Sequence, residues 1–134
     1  NDGMGEYVAN QTIKLMNKKG VMVKDAKILI LGITFKENCP DIRNTKIVDI
    51  HHTLNEFTNN ITIYDPWADV DQVKKEYDIE IVNNLPENES FDAVILAVSH
   101  DKFSDINLKS LMKENSVIYD VKGFLDRSIV DGRL

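Results

Sequence analysis

Two runs, "AKILILGITF" at residues 26–35 and "FDAVILAVSH" at 91–100, constrain this chain more than any other feature. Both are apolar at nearly every position and rich in β-branched residues, with none of the polar alternation of a half-exposed strand. Each therefore predicts a strand buried on both faces, and such strands belong to sheets covered on both sides. "NITIYDP" predicts a further strand ended by Asp65-Pro66, "IEIV" a short one and "SVIYDVKG" the last. Helical patterns separate them: Ile47, Val48, Ile50, His51 and Leu54 behind a cap at Asn44 or Thr45, then the polar "VDQVKKEY", then "INLKSLMKE". Ahead of all of these, Val8, Thr12, Leu15 and Met16 recur at helical spacing over residues 4–19, with Gly20 as the stop. The alternation predicts an α/β fold with a doubly wound, mostly parallel sheet in three α/β/α layers and right-handed crossovers, preceded by one amphipathic helix.

A length of 134 residues with 43% hydrophobic content supplies one domain with a true core. The formal charge of −6, from 22 acidic and 16 basic residues spread along the chain, disfavours generic attraction to nucleic acid or to an anionic membrane. Any phosphate must then be held by local geometry. The single cysteine excludes an internal disulfide and a cysteine-based zinc site, which fits a reducing cytoplasm. No apolar run reaches the roughly 20 residues of a membrane span, and "NDGMGEYVANQ" has no basic stretch leading into an apolar one, so neither an export signal nor a membrane anchor is expected. The sequence opens without Met, directly in a helical pattern, and a piece of a longer polypeptide is the expectation.

Ligands of doubly wound sheets sit outside the carboxyl ends of the strands. That places the candidate site on the segments 34–43, 64–67, 99–103 and 122–124. The first strand is not followed by GxGxxG, so the fold is Rossmann-like without the usual dinucleotide loop. Lys36 and Arg43 flank a turn that feeds a helix N-terminus, where cations and free amides suit a phosphate; equally, they could pair with Glu37 and Asp41. Cys39 is a tempting nucleophile, but no base is assignable to it, and a cysteine beside Pro40 reads better as a small loop residue. His51 and His52 fall inside a helix. His100, at a strand's carboxyl end, is better placed for function, or it caps the next helix. Asp65 could meet a ribose hydroxyl, although a turn with Trp67 over the core is the better reading.

In order, "LGITFKENCPDIRNTKIVDI", "ITIYDPWAD", "FDAVILAVSHDKF" and "VIYDVKG" resemble the C-terminal domain of the UDP-glucose/GDP-mannose dehydrogenase family, and "NDGMGEYVANQ" resembles the end of that family's central helical domain. The FK-x6-R-x-[ST] spacing of Phe35, Lys36, Arg43 and Thr45 is the specific part, and "KENCPDIRNT" is most similar to the bacterial UDP-N-acetylglucosamine or UDP-N-acetylgalactosamine 6-dehydrogenases. The resemblance implies a division into residues 1–20, the end of the central domain, and 21–134, the UDP-sugar-binding domain. It implies an enzyme that oxidises the sugar C6 alcohol to a carboxylate with two NAD⁺ in succession, through a thioester on a cysteine, for surface polysaccharide synthesis. It assigns Phe35 and Lys36 to the nucleotide sugar and Arg43 to the NAD pyrophosphate. Lys122 stands where many members have an arginine, so it carries over only as a point charge without the bidentate fork. Cys39 is not the family's catalytic cysteine, which lies in a GGHC-type stretch that this sequence lacks, as it lacks the NAD-binding domain. The implied partners are a UDP-sugar, the NAD-binding and central domains of the same chain and, in the full-length enzyme, a second copy. The first helix, deprived of those domains, is expected to stand partly apart.

A stand-alone flavodoxin-like or receiver-like interaction module is the alternative. A receiver needs acidic residues near the end of the first strand, where this chain has Thr34, Phe35 and Lys36. A complete small dehydrogenase fails for want of a dinucleotide loop.

Overall fold

The computed structural model describes residues 3–134. Five parallel strands, β1 (Ile28–Leu31), β2 (Ile61–Tyr64), β3 (Phe91–Leu96), β4 (Met112–Asp120) and β5 (Gly132–Arg133), form one sheet in the order β2-β1-β3-β4-β5. Every residue of β1 and β3 is buried, as two-sided coverage requires. Register places Ile30 between Ile63 and Ile95.

Three helices, α1 (Met4–Lys18), α2 (Ile47–Leu54) and α3 (Val70–Tyr77), contribute to the core of one face, where Val8, Ala9, Met16, Ile50, Leu54 and Val73 join Ile28, Ile30, Ile63 and Ile95. The N-cap of α2 is neither Asn44 nor Thr45 but Lys46, which makes no side-chain capping bond; Thr45, one residue earlier, only turns the chain into the helix, its Oγ1 accepting from Ile47 N–H at 3.2 Å. The carboxylate of Asp69 accepts from Gln72 N–H at 2.9 Å and starts α3. Among the described residues no helix is long and apolar enough to cross a membrane.

The opposite face departs from expectation. "INLKSLMKE" forms no α-helix. Two 3₁₀ turns, Asp101–Asp105 and Leu108–Leu111, lie there, and β4 has already begun at Met112, paired with Phe91. The hydroxyls of Ser104 and Ser110 donate to the carbonyls of Asp101 and Asn107, a local alternative to helical bonding. Phe103, Leu108 and Leu111 point inward and close this face with Leu29, Leu31, Leu96 and Ile118. "IEIV" yields only a single parallel bridge, Tyr64 with Val82. The chain turns at once, because the Asn83 amide donates to the carbonyls of Asp65 and Ala68 at 2.8 and 2.7 Å.

The helix expected to stand apart does not. Val8, Ala9 and Met16 of α1 are wholly buried, and Lys19 reaches the Ser116 carbonyl at 2.7 Å and Asp131 at 2.8 Å. Its apolar stripe finds a partner within the chain, on α2 and β4, so no other domain is needed to cover it. Gly5 is where α1 crosses α2: a Cβ there would lie 2.4 Å from Asp49 Cβ. Of the segment 1–20, residues 1 and 2 lie outside the described range.

Candidate functional site

Leu31 is level with Tyr64 and Leu96, and Leu96 with Asp120, so four loops leave one edge of the sheet. Strand order reverses between β1 and β3, whose connections run to opposite sides; a crevice belongs there. The two chains approach so closely at this point that a Cβ on Gly32, at φ +99°, would lie 2.5 Å from Val98 Cβ.

The crevice is filled from inside. Asp65, fully buried, accepts on Oδ2 from the N–H groups of Ile33 (2.7 Å) and Thr34 (3.2 Å) and from His100 Nε2 (3.0 Å). Its Oδ1 accepts from the N–H groups of Trp67 (2.7 Å) and Ala68 (3.1 Å). Burial alone would push this carboxyl up, but the bonds from His100, Ile33 and Trp67 outweigh it and hold the group below the ordinary carboxylate range. His100 is also wholly buried, and its Nδ1 accepts from Asn38 N–H at 2.9 Å. Asp65 thus closes a turn, with both carboxylate oxygens engaged inside the fold. Trp67 does not cover the core: it is 44% exposed. His100 makes no capping bond with its side chain.

Outside this plug the loop from β1 presents its candidates to solvent. Phe35 is 57% exposed, and its N–H closes the loop on the Asp41 carbonyl at 2.7 Å. Lys36 is exposed and makes no ion pair among the described residues. Arg43 pairs with Asp41 as a fork, Nε to Oδ1 and Nη2 to Oδ2 both at 3.0 Å, and the guanidinium lowers the Asp41 carboxyl to about 2. The two readings open from the sequence divide: Arg43 is paired, Lys36 is free. Because the fork engages one edge of a side chain that is 82% exposed, the other edge of the guanidinium stays available.

Lys122 rises from the β4 loop on the same edge, two strand positions from β1 and so roughly 10 Å away laterally. Its loop is shaped by the buried Asp120, which accepts from the N–H groups of Lys122 (3.1 Å) and Leu125 (2.7 Å) and faces Arg133 at 3.8 Å. Cys39 is partly exposed, and none of the three histidines hydrogen-bonds to it. His51 and His52 occupy the last turn of α2; burial, then the neighbouring His52, pushes the His51 pKa down. Sequence reading missed Asn38 and Arg133. A left-handed φ of +55° at Asn38 is a weak signal within "KENCP", and the Asp120–Arg133 pair spans a turn whose path only the folded chain reveals.

The sequence profile of the UDP-glucose/GDP-mannose dehydrogenase family, UDP binding domain, matches residues 29–127. The UDP-N-acetyl-D-glucosamine 6-dehydrogenases of Salmonella typhi and Pseudomonas aeruginosa are each 43% identical to this chain over all of its length. The chain spans 32% of the length of either. The crystal structure of the NDP-N-acetyl-D-galactosaminuronic acid dehydrogenase of Methanosarcina mazei Go1 superimposes on 98% of the chain and 29% of its own, with a TM-score of 0.85 at 22% identity, a likeness of fold. The chain belongs to the UDP-glucose/GDP-mannose dehydrogenase family and carries that family's UDP binding domain.

Proposed function

We propose that this chain is the C-terminal nucleotide-sugar-binding domain of an NAD-dependent UDP-N-acetylhexosamine 6-dehydrogenase, a cytoplasmic oxidoreductase that turns the sugar C6 alcohol into a carboxylate for surface polysaccharide synthesis. Phe35 and Lys36 receive the nucleotide sugar, with Lys122 as a second cation on the rim. Arg43 reaches the pyrophosphate of NAD, the cofactor that accepts hydride in this chemistry. The observation that carries the reading is one loop at the carboxyl end of β1 bearing an unpaired lysine and an arginine already oriented by Asp41. Such a pair suits two anions approaching from different sides. Residues 1–20 lead in from the central domain, and the full-length enzyme is a homodimer.

In the full-length enzyme Lys36→Ala weakens the nucleotide sugar and Arg43→Ala weakens NAD⁺, each by roughly 1.5–3 kcal/mol, or about tenfold to more than a hundredfold. Arg43→Lys recovers part of the loss, since the charge remains without the fork. Steady-state kinetics with each ligand varied in turn decide the matter; wild-type KM and kcat in both alanine variants would reject the assignment.

The chemistry lies outside this chain. The 134-residue chain alone reduces no NAD⁺ with any UDP-sugar, and Cys39→Ser leaves the full-length enzyme's turnover unchanged, as absorbance of the reduced nicotinamide would report. Turnover by the isolated chain that vanishes on Cys39→Ser would make the thiol catalytic after all.

A further inference from the structure

His100 is wholly buried, yet two of the three bonds its ring makes go to the loop that carries Phe35 and Lys36, and the third goes to Asp65. Its Nδ1 accepts from Asn38 N–H, so the ring proton resides on Nε2. That proton is shared between Asp65 Oδ2 at 3.0 Å and Thr34 Oγ1 at 3.2 Å, while the Thr34 hydroxyl donates to the Lys36 carbonyl at 3.0 Å. One ring thereby fixes the backbone on both sides of Glu37. Asn38 sits at φ +55°, a conformation that a non-glycine residue keeps only when its surroundings hold it there. The holding bonds are its own N–H to His100 and its Oδ1, which accepts from Asp101 N–H at 2.9 Å. Asp65 supplies the rigid base, being clamped by four backbone N–H groups from the ends of β1 and β2.

We propose that His100 is a positioning residue for the nucleotide sugar: through the bond from Asn38 N–H to Nδ1 it presets the loop that presents Phe35 and Lys36. The proposal rests on the assignment of those two residues to the nucleotide sugar. A preset loop loses less freedom when the ligand arrives, and the gain appears as affinity for that ligand alone. NAD⁺ binding is spared, because Arg43 is oriented by Asp41 and not by the ring.

Two substitutions separate the ring's two nitrogens. The short amide of Asn brings its oxygen near the Nδ1 position, and the longer amide of Gln brings its nitrogen near the Nε2 position. In the full-length enzyme His100→Asn retains the bond to Asn38 and loses the one to Asp65; it melts lower but keeps a wild-type KM for the nucleotide sugar. His100→Gln retains the bond to Asp65 and loses the one to Asn38. It melts near wild type, while its KM for the nucleotide sugar rises about threefold to tenfold with KM for NAD⁺ unchanged. A stable His100→Gln enzyme with an unaltered sugar KM, or one whose two KM values rise together, overturns the proposal. Lys36→Ala serves as the reference. If it too leaves the sugar KM unchanged, the assignment beneath the proposal falls; if it raises KM and His100→Gln does not, only the role of His100 falls. Ring ¹⁵N shifts of the wild-type enzyme give a further test that needs no variant: they report the Nε2–H tautomer, and an Nδ1–H signature would end the argument.

Discussion

Asp65→Asn lowers the stability of the fold by roughly 3–5 kcal/mol, the cost of removing one partner from a buried charged network. The carboxylate accepts from five N–H donors, three on Oδ2 and two on Oδ1. An amide offers one accepting oxygen. Whichever way it turns, its NH₂ faces either Ile33, Thr34 and His100 or Trp67 and Ala68, and those buried donors lose their acceptor. Against a total stability of about 5–15 kcal/mol, such a loss is a large fraction. Urea unfolding checks it: the midpoint drops with the slope unchanged, since the surface exposed on unfolding is the same. A loss below about 1 kcal/mol would mean that water or rearranged backbone satisfies these donors. The pH dependence has a definite sign. The folded carboxyl lies below its ordinary value, so its contribution is fully present above the unfolded carboxylate pKa of about 3.9 and is lost as pH falls through the folded value. The Asn variant lacks that part of the acid-induced loss.

Deleting residues 1–19 abolishes cooperative folding of the remaining chain. Val8, Ala9 and Met16 are completely buried and Ile13 is 8% exposed. Val8, Ile13 and Met16 alone contribute roughly 1.5–3 kcal/mol each by leaving water. The deletion also uncovers the α2 and β4 surfaces beneath them and removes the Lys19 contacts with Ser116 and Asp131. Together these losses approach the whole stability of a domain of this size. Thermal unfolding by circular dichroism should lose its sigmoidal transition, with exposed apolar surface detectable by dye binding. A truncated chain that still melts cooperatively near the wild-type temperature would show that α1 is an appendage. The same geometry explains why α1 is indispensable to this domain even if residues 1–20 lead in from another: a helix can connect two bodies and still complete the core of one.

The elements fall into two kinds by how they were legible. α1, α2, β1, β2 and β3 follow from periodicity, because a helix stripe and a continuous apolar β-branched run are local signals that the packed core merely accepts, whereas α3 is polar and buries only Val73. The pattern "INLKSLMKE" was misleading for a physical reason. Its apolar spacing also fits two 3₁₀ turns pressed on the sheet, and the pairing of Met112 with Phe91, residues 21 positions apart, tips the balance towards strand. β5 has only two residues, held in place by their neighbours on β4, and no local pattern announces it.

The site divides in the same way. Lys36 and Arg43 were readable as candidates because two cations there flank a turn that feeds a helix N-terminus, and the FK-x6-R-x-[ST] spacing sits on the sheet edge where ligands bind. Which cation is free and which is paired was not readable, since both Glu37 and Asp41 were within reach. The reversed ambiguity held for Asp65 and His100. Each stands at the carboxyl end of a different strand, 35 residues apart, and either could have faced a ligand. The amino-acid sequence by itself determined β1, β2, β3 and the buried end of β4, the parallel architecture and the loop that bears the charges, because each of these is set by residues near one another along the chain. The tertiary structure alone decided that Asp65 and His100 are interior ties, that Arg43 is held by Asp41 while Lys36 is left free, and that α1 belongs to the core. Those outcomes turn on which groups from distant segments meet in the crevice between β1 and β3, and strand order, not local composition, brings them together.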